Sequence, residues 1–427
     1  MLCPFPARRS LLEESYLVFR PVTRKFDLNN VPEGISAGRL TAAGLIIRTS
    51  PYYDNIMERL SKVGAAFPRL AAVVGPILLG LLTALYIGRP SPYFLATGIA
   101  LAVAILACDG WIIARRYWIT GGLALATQIA FLIFVGTYTA SPLLTPSPIS
   151  DPLPQASSPG GMAIYALPTG VNHRTAAFAY RGGSPWDKRD SVSTAVLVRH
   201  PQGDLLIDTG LGRMIAEQMR GFPFLFRLGT DLVRFQPAAD QLDAAGYDRR
   251  QLRYILLTHA HWDHISGVPD FPGVPVLVTA AEHHFIDEGG WATANARSMN
   301  AAFQEYAFDG GPYMGFTQSR DLYGDGSIVI VPAPGHTPGS VVVFITLSGG
   351  VRYAFVGDLV WQLEGLLERE ERPWFESRTL GENPVLLRQS LLRMSAIATR
   401  YPQITIVPAH DPRGYGSIPE WSRSATR

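Results

Sequence analysis

Cysteine is nearly absent from this 427-residue chain: Cys3 and Cys108 are the only two, so the last three quarters have none. That excludes a thiolate-rich structural zinc site and a disulfide framework there. Lysine is as scarce. From residue 141 onward Lys188 stands alone, and 24 basic residues face 28 acidic ones, a net charge of −4. Such a surface lacks the basic stripe that follows a phosphate backbone, so no nucleic-acid partner is expected. A glycine-rich phosphate loop and a nucleophile elbow are also missing; Gly339-Ser340 reads as a turn into the following strand. Charged residues are only 17% of the chain against 47% hydrophobic, which is apolar for a soluble enzyme and points to membrane segments.

The apolar excess is local. Residues 70–88, 93–113 and 118–140 are three long apolar stretches, the second with Asp109 near one end. Each is near the ~20 residues that span hydrocarbon. Tyr86, Tyr93, Trp111, Tyr117, Trp118 and Tyr138 lie near their ends, as an interfacial aromatic belt requires. Ten Lys or Arg precede the first stretch, Arg115 and Arg116 lie between the second and third, and no basic residue follows until Arg174. The excess of positive charge on the cytoplasmic side places the N-terminus inside and the C-terminal part outside. The expected organisation is therefore a cytoplasmic segment 1–69, three transmembrane helices in 70–140, a linker 141–159 and a catalytic domain 160–427. This describes a multi-pass protein of a bacterial inner membrane, with the lipid bilayer as a partner and the catalytic domain in the periplasm. The linker has six prolines and five serines. At ~3.1 Å per residue it reads as an extended tether that leaves the domain some freedom.

What the C-terminal part does have is metal-ligand side chains at the ends of apolar strands. Residues 254–257 lead into His259-Ala260-His261-Trp262-Asp263-His264. Three imidazoles and a carboxylate in six residues would cost stability if buried unpaired, and a divalent cation satisfies them all. Residues 328–331 lead to Pro334-Gly335-His336, 353–356 to Gly357-Asp358, 404–407 to Pro408-Ala409-His410, and 205–207 to Asp208-Thr209-Gly210. His259, His261, Asp263, His264, His336, Asp358 and His410 suffice for two divalent metal ions, and their nitrogen and oxygen donors suit zinc. His283 and His284 read as a surface pair at the start of a helix, and His173 and His200 as ordinary polar residues. Strands are expected at 194–199, 204–207, 254–257, 274–278, 327–331, 341–346, 353–356 and 405–407. Helices are expected at 238–245 and 384–401, which gives an α/β protein.

This constellation resembles the metallo-β-lactamase superfamily over roughly residues 161–411. The resemblance implies a four-layer αβ/βα sandwich. It also implies one metal held by His259, His261 and His336, a second held by Asp263, His264 and His410, and Asp358 bridging both. Asp208 corresponds to a supporting acid that orients a ligand. The chemistry expected is a metal-dependent hydrolase in which a metal-bridging hydroxide attacks a carbonyl and Asp263 passes a proton to the leaving group.

Among such enzymes, Asp263 and Asp358 fit lactone and glyoxalase II-like thioester hydrolases better than β-lactamases, which usually carry Cys in place of Asp358. Lactonases usually place Tyr three residues after the bridging Asp; this chain has Trp361. An ester or lactone is the expected substrate, in the manner of an acyl-homoserine lactonase. A glutathione thioester, with Arg413 and Arg423 as candidate carboxylate partners, is the alternative, ahead of a phosphoester or a non-hydrolytic iron protein. Phe222, Phe226, Trp291, Trp361, Trp374 and Phe375 are among the aromatics that could line an apolar pocket or fill a core.

Residues 57–62 resemble a short basic leader before the first apolar stretch, so translation from Met57 is an expectation. Peptides from residues 10–50 in the purified protein would exclude it.

Overall fold

The computed structural model describes residues 145–421, together with Gly122, Ala126, Ile129 and Ala130, which are helical. Apart from those four positions, the three apolar stretches and the segment before them lie outside the described residues. Among the described residues no helix is long and apolar enough to cross a membrane.

Among the described residues, twelve strands form two sheets. The first contains β1 (Ala163–Thr175), β2 (Lys188–Arg199), β3 (Asp204–Ile207), β4 (Leu232–Arg234), β5 (Leu252–Leu256), β6 (Val276–Thr279) and β7 (Phe303–Tyr306), in the order β4-β1-β2-β3-β5-β6-β7. The second contains β8 (Arg320–Asp321), β9 (Ile328–Pro332), β10 (Val341–Thr346), β11 (Arg352–Gly357) and β12 (Ile404–Pro408), in the order β12-β11-β10-β9-β8. Strands β3, β5, β6 and β7 run parallel, as do β11 and β12, while β9, β10 and β11 form an antiparallel meander.

The period of two in a strand explains the layering. Strand β10, Val-Val-Val-Phe-Ile-Thr, is buried at every position. Val341, Val343 and Ile345 join a core shared with Val196, Val198, Leu205 and Ile207 of the first sheet. Val342 and Phe344 face the other way, into a core completed by the helix Pro384–Arg400. A strand covered on both sides has no need of polar alternation. That helix presents Leu387, Leu391, Met394 and Ile397, a stripe of one helical face. Its start is fixed by Pro384 in the first turn and by the Asn383 side chain, which accepts from the Val385 and Leu386 amides. On the outer face of the first sheet, Ala238, Ala239 and Leu242 of one helix and Ile286 of another pack against Leu197, Leu206 and Ile255. The result is a mixed α/β sandwich with helices on both outer faces.

Most expected strands are present with ends shifted by one or two residues; β2 begins six residues before the expected start. The long strand β1 was not expected, because Pro168 and Gly170 interrupt its sequence pattern. In the structure they flank a register shift against β2, where a proline and a glycine are tolerated. The edge strands β4, β7 and β8 were also missed; each is four residues or shorter.

The expectation of a free tether fails for its second half. Ile149 and Leu153 pack on the outer core of the second sheet. Arg352 donates to the Pro154 carbonyl at 2.8 Å, Ser158 Oγ to the Thr346 carbonyl at 2.6 Å, and Tyr401 Oη to the Asp151 carbonyl. An extended proline-rich chain leaves its carbonyls unpaired, and Arg352 and Tyr401 take up two of them, while Ser158 ties the chain to the end of β10.

Candidate metal centre

Each of the expected ligands leaves the C-terminal end of a strand. β5 feeds the segment from His259 to His264, with His261 at the N-cap of the short helix Trp262–Ile265. β9 leads to His336, β11 to Asp358 and β12 to His410. The seven side chains gather into two groups. His259, His261, His336 and Asp358 offer ligand atoms within 4.8 Å of one another, and so do Asp263, His264 and His410.

The contacts run between the groups as well as within them. His336 Nε2 lies 3.1 Å from His259 Nε2, 2.8 Å from His261 Nδ1 and 3.3 Å from Asp358 Oδ2. Asp358 Oδ1 lies 3.2 Å from His264 Nε2 and 3.1 Å from His410 Nε2, and that nitrogen is 3.3 Å from Asp263 Oδ2. Asp358, a member of the first group, thus also approaches His264 and His410 of the second. Two donors about 2.1 Å from one tetrahedral ion sit roughly 3.4 Å apart, so these spacings fit. The buried atoms His261 Nε2, His264 Nε2 and Asp358 Oδ1 have no hydrogen-bond partner among the described residues. For His264 Nε2 and Asp358 Oδ1, which face each other at 3.2 Å, a metal ion is a partner that suits their chemistry. The cluster is suited to binding metal ions. Burial, and then the neighbouring imidazoles, push His259 and His261 well below the usual histidine range, so both are neutral and able to coordinate. Burial alone would raise the Asp358 carboxyl, but His410, His264 and His259 outweigh it and keep the group ionised.

Outward-facing nitrogens are fixed by other groups. His264 Nδ1 donates to Asp208 Oδ2 at 2.8 Å. Asp208 also accepts from the Thr258 amide at 2.7 Å and the Thr258 hydroxyl at 2.8 Å. It does so at φ 52°, a left-handed conformation unusual for Asp. His410 Nδ1 donates to the Val192 carbonyl at 2.7 Å, and His336 Nδ1 to Glu382 Oε1 at 2.5 Å. Sequence reasoning found Asp208 but missed Glu382 and Glu282. Glu282 is almost wholly buried and accepts from the Ala260 amide, the Thr337 hydroxyl and the Gly339 amide at 2.6–2.9 Å. It thereby joins the His259–His261 segment to the His336 loop. No spacing rule marks a lone glutamate in a helix.

The other histidines stand outside both groups. His283 pairs with Glu305 and His284 with Glu288, and His173 pairs with Asp190, all at least partly exposed. His200 is buried, stacked on Tyr323 at 4.0 Å and bonded to Asp325 at 3.1 Å.

Above the cluster lies a cavity of about 460 Å³ with Asp263, Asp358 and His410 in its lining. Phe178, Phe226, Trp291, Trp361, Phe375 and Leu380 make its wall largely apolar. Phe222 and Phe316, by contrast, are core residues. Trp361 is stacked on Phe178 at 5.1 Å and donates its indole N–H to Asp358 Oδ2 at 2.7 Å. Among the described residues Arg174 is the only Lys or Arg of the lining; its guanidinium rests 4.6 Å over Phe178 and donates to the Gly229 carbonyl. Arg413 is taken up by Asp411 and Glu364 and is not part of this lining; Arg423 lies outside the described residues.

A family model described as the metallo-beta-lactamase superfamily matches residues 189–409. A probable metallo-hydrolase of Mycobacterium tuberculosis is 31% identical over 233 residues, covering 52% of this chain and 74% of its own. The N-acyl homoserine lactonase AttM of Agrobacterium fabrum is 24% identical over 227 residues, covering 52% and 82%. A solved N-acyl homoserine lactone hydrolase with N-hexanoyl-L-homoserine at its metal centre is similar with a TM-score of 0.47 and 17% identity, covering 60% of this chain and 96% of that one.

Replacing Asp208 by Ala strips partners from His264 Nδ1 and from the Thr258 amide. Outer partners of this kind are worth about 10- to 100-fold in metal affinity. Chelator competition on Asp208→Ala should show a loss in that range; wild-type affinity would remove Asp208 from the site.

Proposed function

The chain belongs to the metallo-β-lactamase superfamily and is a metal-dependent hydrolase, and from that premise we propose that it cleaves a lactone or ester with an apolar chain at a dinuclear zinc centre. His259, His261 and His336 would hold one ion, Asp263, His264 and His410 the other, and Asp358 would be shared. The observation that carries this reading is the position of the seven side chains beneath an aromatic cavity whose lining has one cation, Arg174. A polyanionic substrate would call for several. A neutral carbonyl compound with a hydrocarbon tail matches both wall and floor.

When bound, the ions supply Lewis acidity at the carbonyl oxygen and bring the pKa of water toward neutrality. The rest is done by this chain. The aromatic wall excludes bulk water and positions the acyl group over the cluster. Asp358, held by the Trp361 N–H and facing four histidines, keeps the two groups in register. Asp263 is the partly exposed carboxylate of the set and lines the cavity, so it is placed to pass a proton to the departing oxygen. A glutathione thioester has less in its favour, because Arg413 is already engaged by acidic neighbours.

The zinc-loaded protein should hydrolyse N-acyl homoserine lactones in preference to a glutathione thioester, and EDTA treatment should abolish turnover. Asp358→Ala removes a shared ligand. It should therefore cost more than the ~100-fold upper range of outer-shell changes, in metal content and kcat/KM together. Full activity with full metal would exclude the shared role. Thioester turnover alone would replace the lactone reading.

The same proposal includes anchoring in a bacterial inner membrane through residues 70–140, with the catalytic domain in the periplasm. It rests on the three apolar stretches and their flanking charges. Membrane fractionation followed by protease treatment of spheroplasts should find the chain in the membrane and its C-terminal domain accessible. Recovery in the soluble fraction would reject the anchor.

A further inference from the structure

Arg372 and Glu382 form an ion pair almost wholly withdrawn from water, with side-chain exposures of 1% and 0%. Desolvating two charges costs about as much as their attraction returns, and apolar residues of similar volume commonly serve stability as well or better. Here the cost is larger still, because Glu382 Oε2 is buried with no hydrogen-bond partner. Stability does not account for the pair, so its contacts must.

Those contacts converge on the metal centre. Arg372 donates through Nε to Glu382 Oε1 at 2.7 Å, and through Nη2 to the same oxygen. That oxygen accepts from His336 Nδ1 at 2.5 Å. Arg372 Nη1 donates to the Asp358 main-chain carbonyl at 2.7 Å. The guanidinium lies 4.9 Å from the centre of the Trp361 ring, whose N–H donates to Asp358 Oδ2. One buried cation therefore touches, directly or through one neighbour, the last histidine of the first group and the Asp358 carboxylate, which also approaches the second.

The tautomer of His336 follows from the same geometry. Arg372 Nη2 also lies 3.0 Å from His336 Nδ1. Two donors cannot share one hydrogen bond. With Glu382 accepting at the shorter distance, the proton sits on Nδ1 and leaves a lone pair on Nε2, the nitrogen that faces His259 and His261. If Glu382 were removed and Arg372 kept, the guanidinium would donate to Nδ1 and drive the proton onto Nε2, where it opposes coordination.

We propose that the Arg372–Glu382 pair is a positioning device for the metal centre, which sets the coordinating tautomer of His336 and holds Asp358 in register with it. This rests on reading the seven side chains as a metal centre. The test compares wild type with Glu382→Leu, with the double variant Arg372→Met/Glu382→Leu, and with Glu382→Gln. Cobalt(II) absorption spectra, chelator competition and melting of the metal-depleted protein are read for each. The double variant should melt at or above wild type when metal-free, yet bind cobalt about 10- to 100-fold more weakly with an altered spectrum. Glu382→Leu alone should be the weakest binder, because the remaining arginine enforces the wrong tautomer. Glu382→Gln keeps an acceptor without the charge and should fall in between; it carries the test if the leucine variants fail to fold. Wild-type affinity and spectrum in the folded variants would overturn the proposal and leave the metal centre standing. Absence of cobalt binding by the wild type would overturn the metal-centre reading, and this proposal with it.

Discussion

The constraint on which this structure depends is the burial of like groups against one another. His259, His261, His264, His336 and His410 are each 5% exposed or less, and Asp358 lies among them at 5%. Withdrawing these groups from water and aiming their lone pairs at one small volume opposes folding. Two features make it tolerable. The first is the apolar mass of the sandwich, whose inner strands β9, β10 and β11 are buried on both faces. The second is that outward-facing nitrogens are individually bonded: His264 to Asp208, His336 to Glu382, and His410 to the Val192 carbonyl. The inward atoms are thereby left for coordination.

The frame is also stiff where the ligands leave it. Gly335, just before His336, has φ 141°, and a Cβ there would meet the Leu387 amide nitrogen at 2.2 Å. The ligand loop therefore lies directly against the start of the helix Pro384–Arg400, and the Asn383 amide donates to the Gly335 carbonyl at 2.8 Å. The same helix buries Leu387, Leu391 and Met394 against the second sheet. Packing of an outer helix thus fixes the height of His336. Glu282 does the equivalent from the other side, where a helix following β6 reaches both the His259–His261 segment and the His336 loop.

These parts were unequally legible in the sequence. The ligands declare themselves because their chemistry is rare at apolar strand ends, and because packing alone seldom gathers three imidazoles and a carboxylate at such short spacing. The doubly covered strands are equally plain as continuous runs of Val, Ile and Phe. Strand β1 was hidden because Pro168 and Gly170 mask its pattern, and only the register shift shows how they are accommodated. The wall of the cavity was half legible. Phe222 and Phe226 sit four residues apart in one aromatic cluster, yet of the two only Phe226 also lines the cavity. The least legible residues are Glu282, Arg372 and Glu382. Glu282 and Glu382 are lone acidic residues with no motif around them, and Arg372 is hidden at the end of the charged run Glu368-Arg369-Glu370-Glu371-Arg372. The role of each comes from what the fold brings within 3 Å.

The replacement of a hydroxyl by an indole beside the shared carboxylate bears on how the reaction ends. Trp361 can donate a hydrogen bond, but its N–H does not ionise in the accessible range, so it cannot deliver a proton. Arg174, the lone cation of the lining, is lowered by burial but begins from a value far above neutrality, and it too remains a fixed donor. On the proposed reading the histidines on the floor are taken up as ligands. Of the acidic ligands in the lining, Asp358 is held by Trp361 and faces four histidines, whereas Asp263 is partly exposed at the cavity edge, 3.3 Å from His410 Nε2. On the same reading, Asp263 is the acidic ligand that an alkoxide departing toward the apolar wall could reach. An indole in place of the tyrosine hydroxyl, on this reading, leaves proton delivery to a carboxyl of the lining, with Asp263 at the cavity edge beside the cluster and Glu376 in the wall.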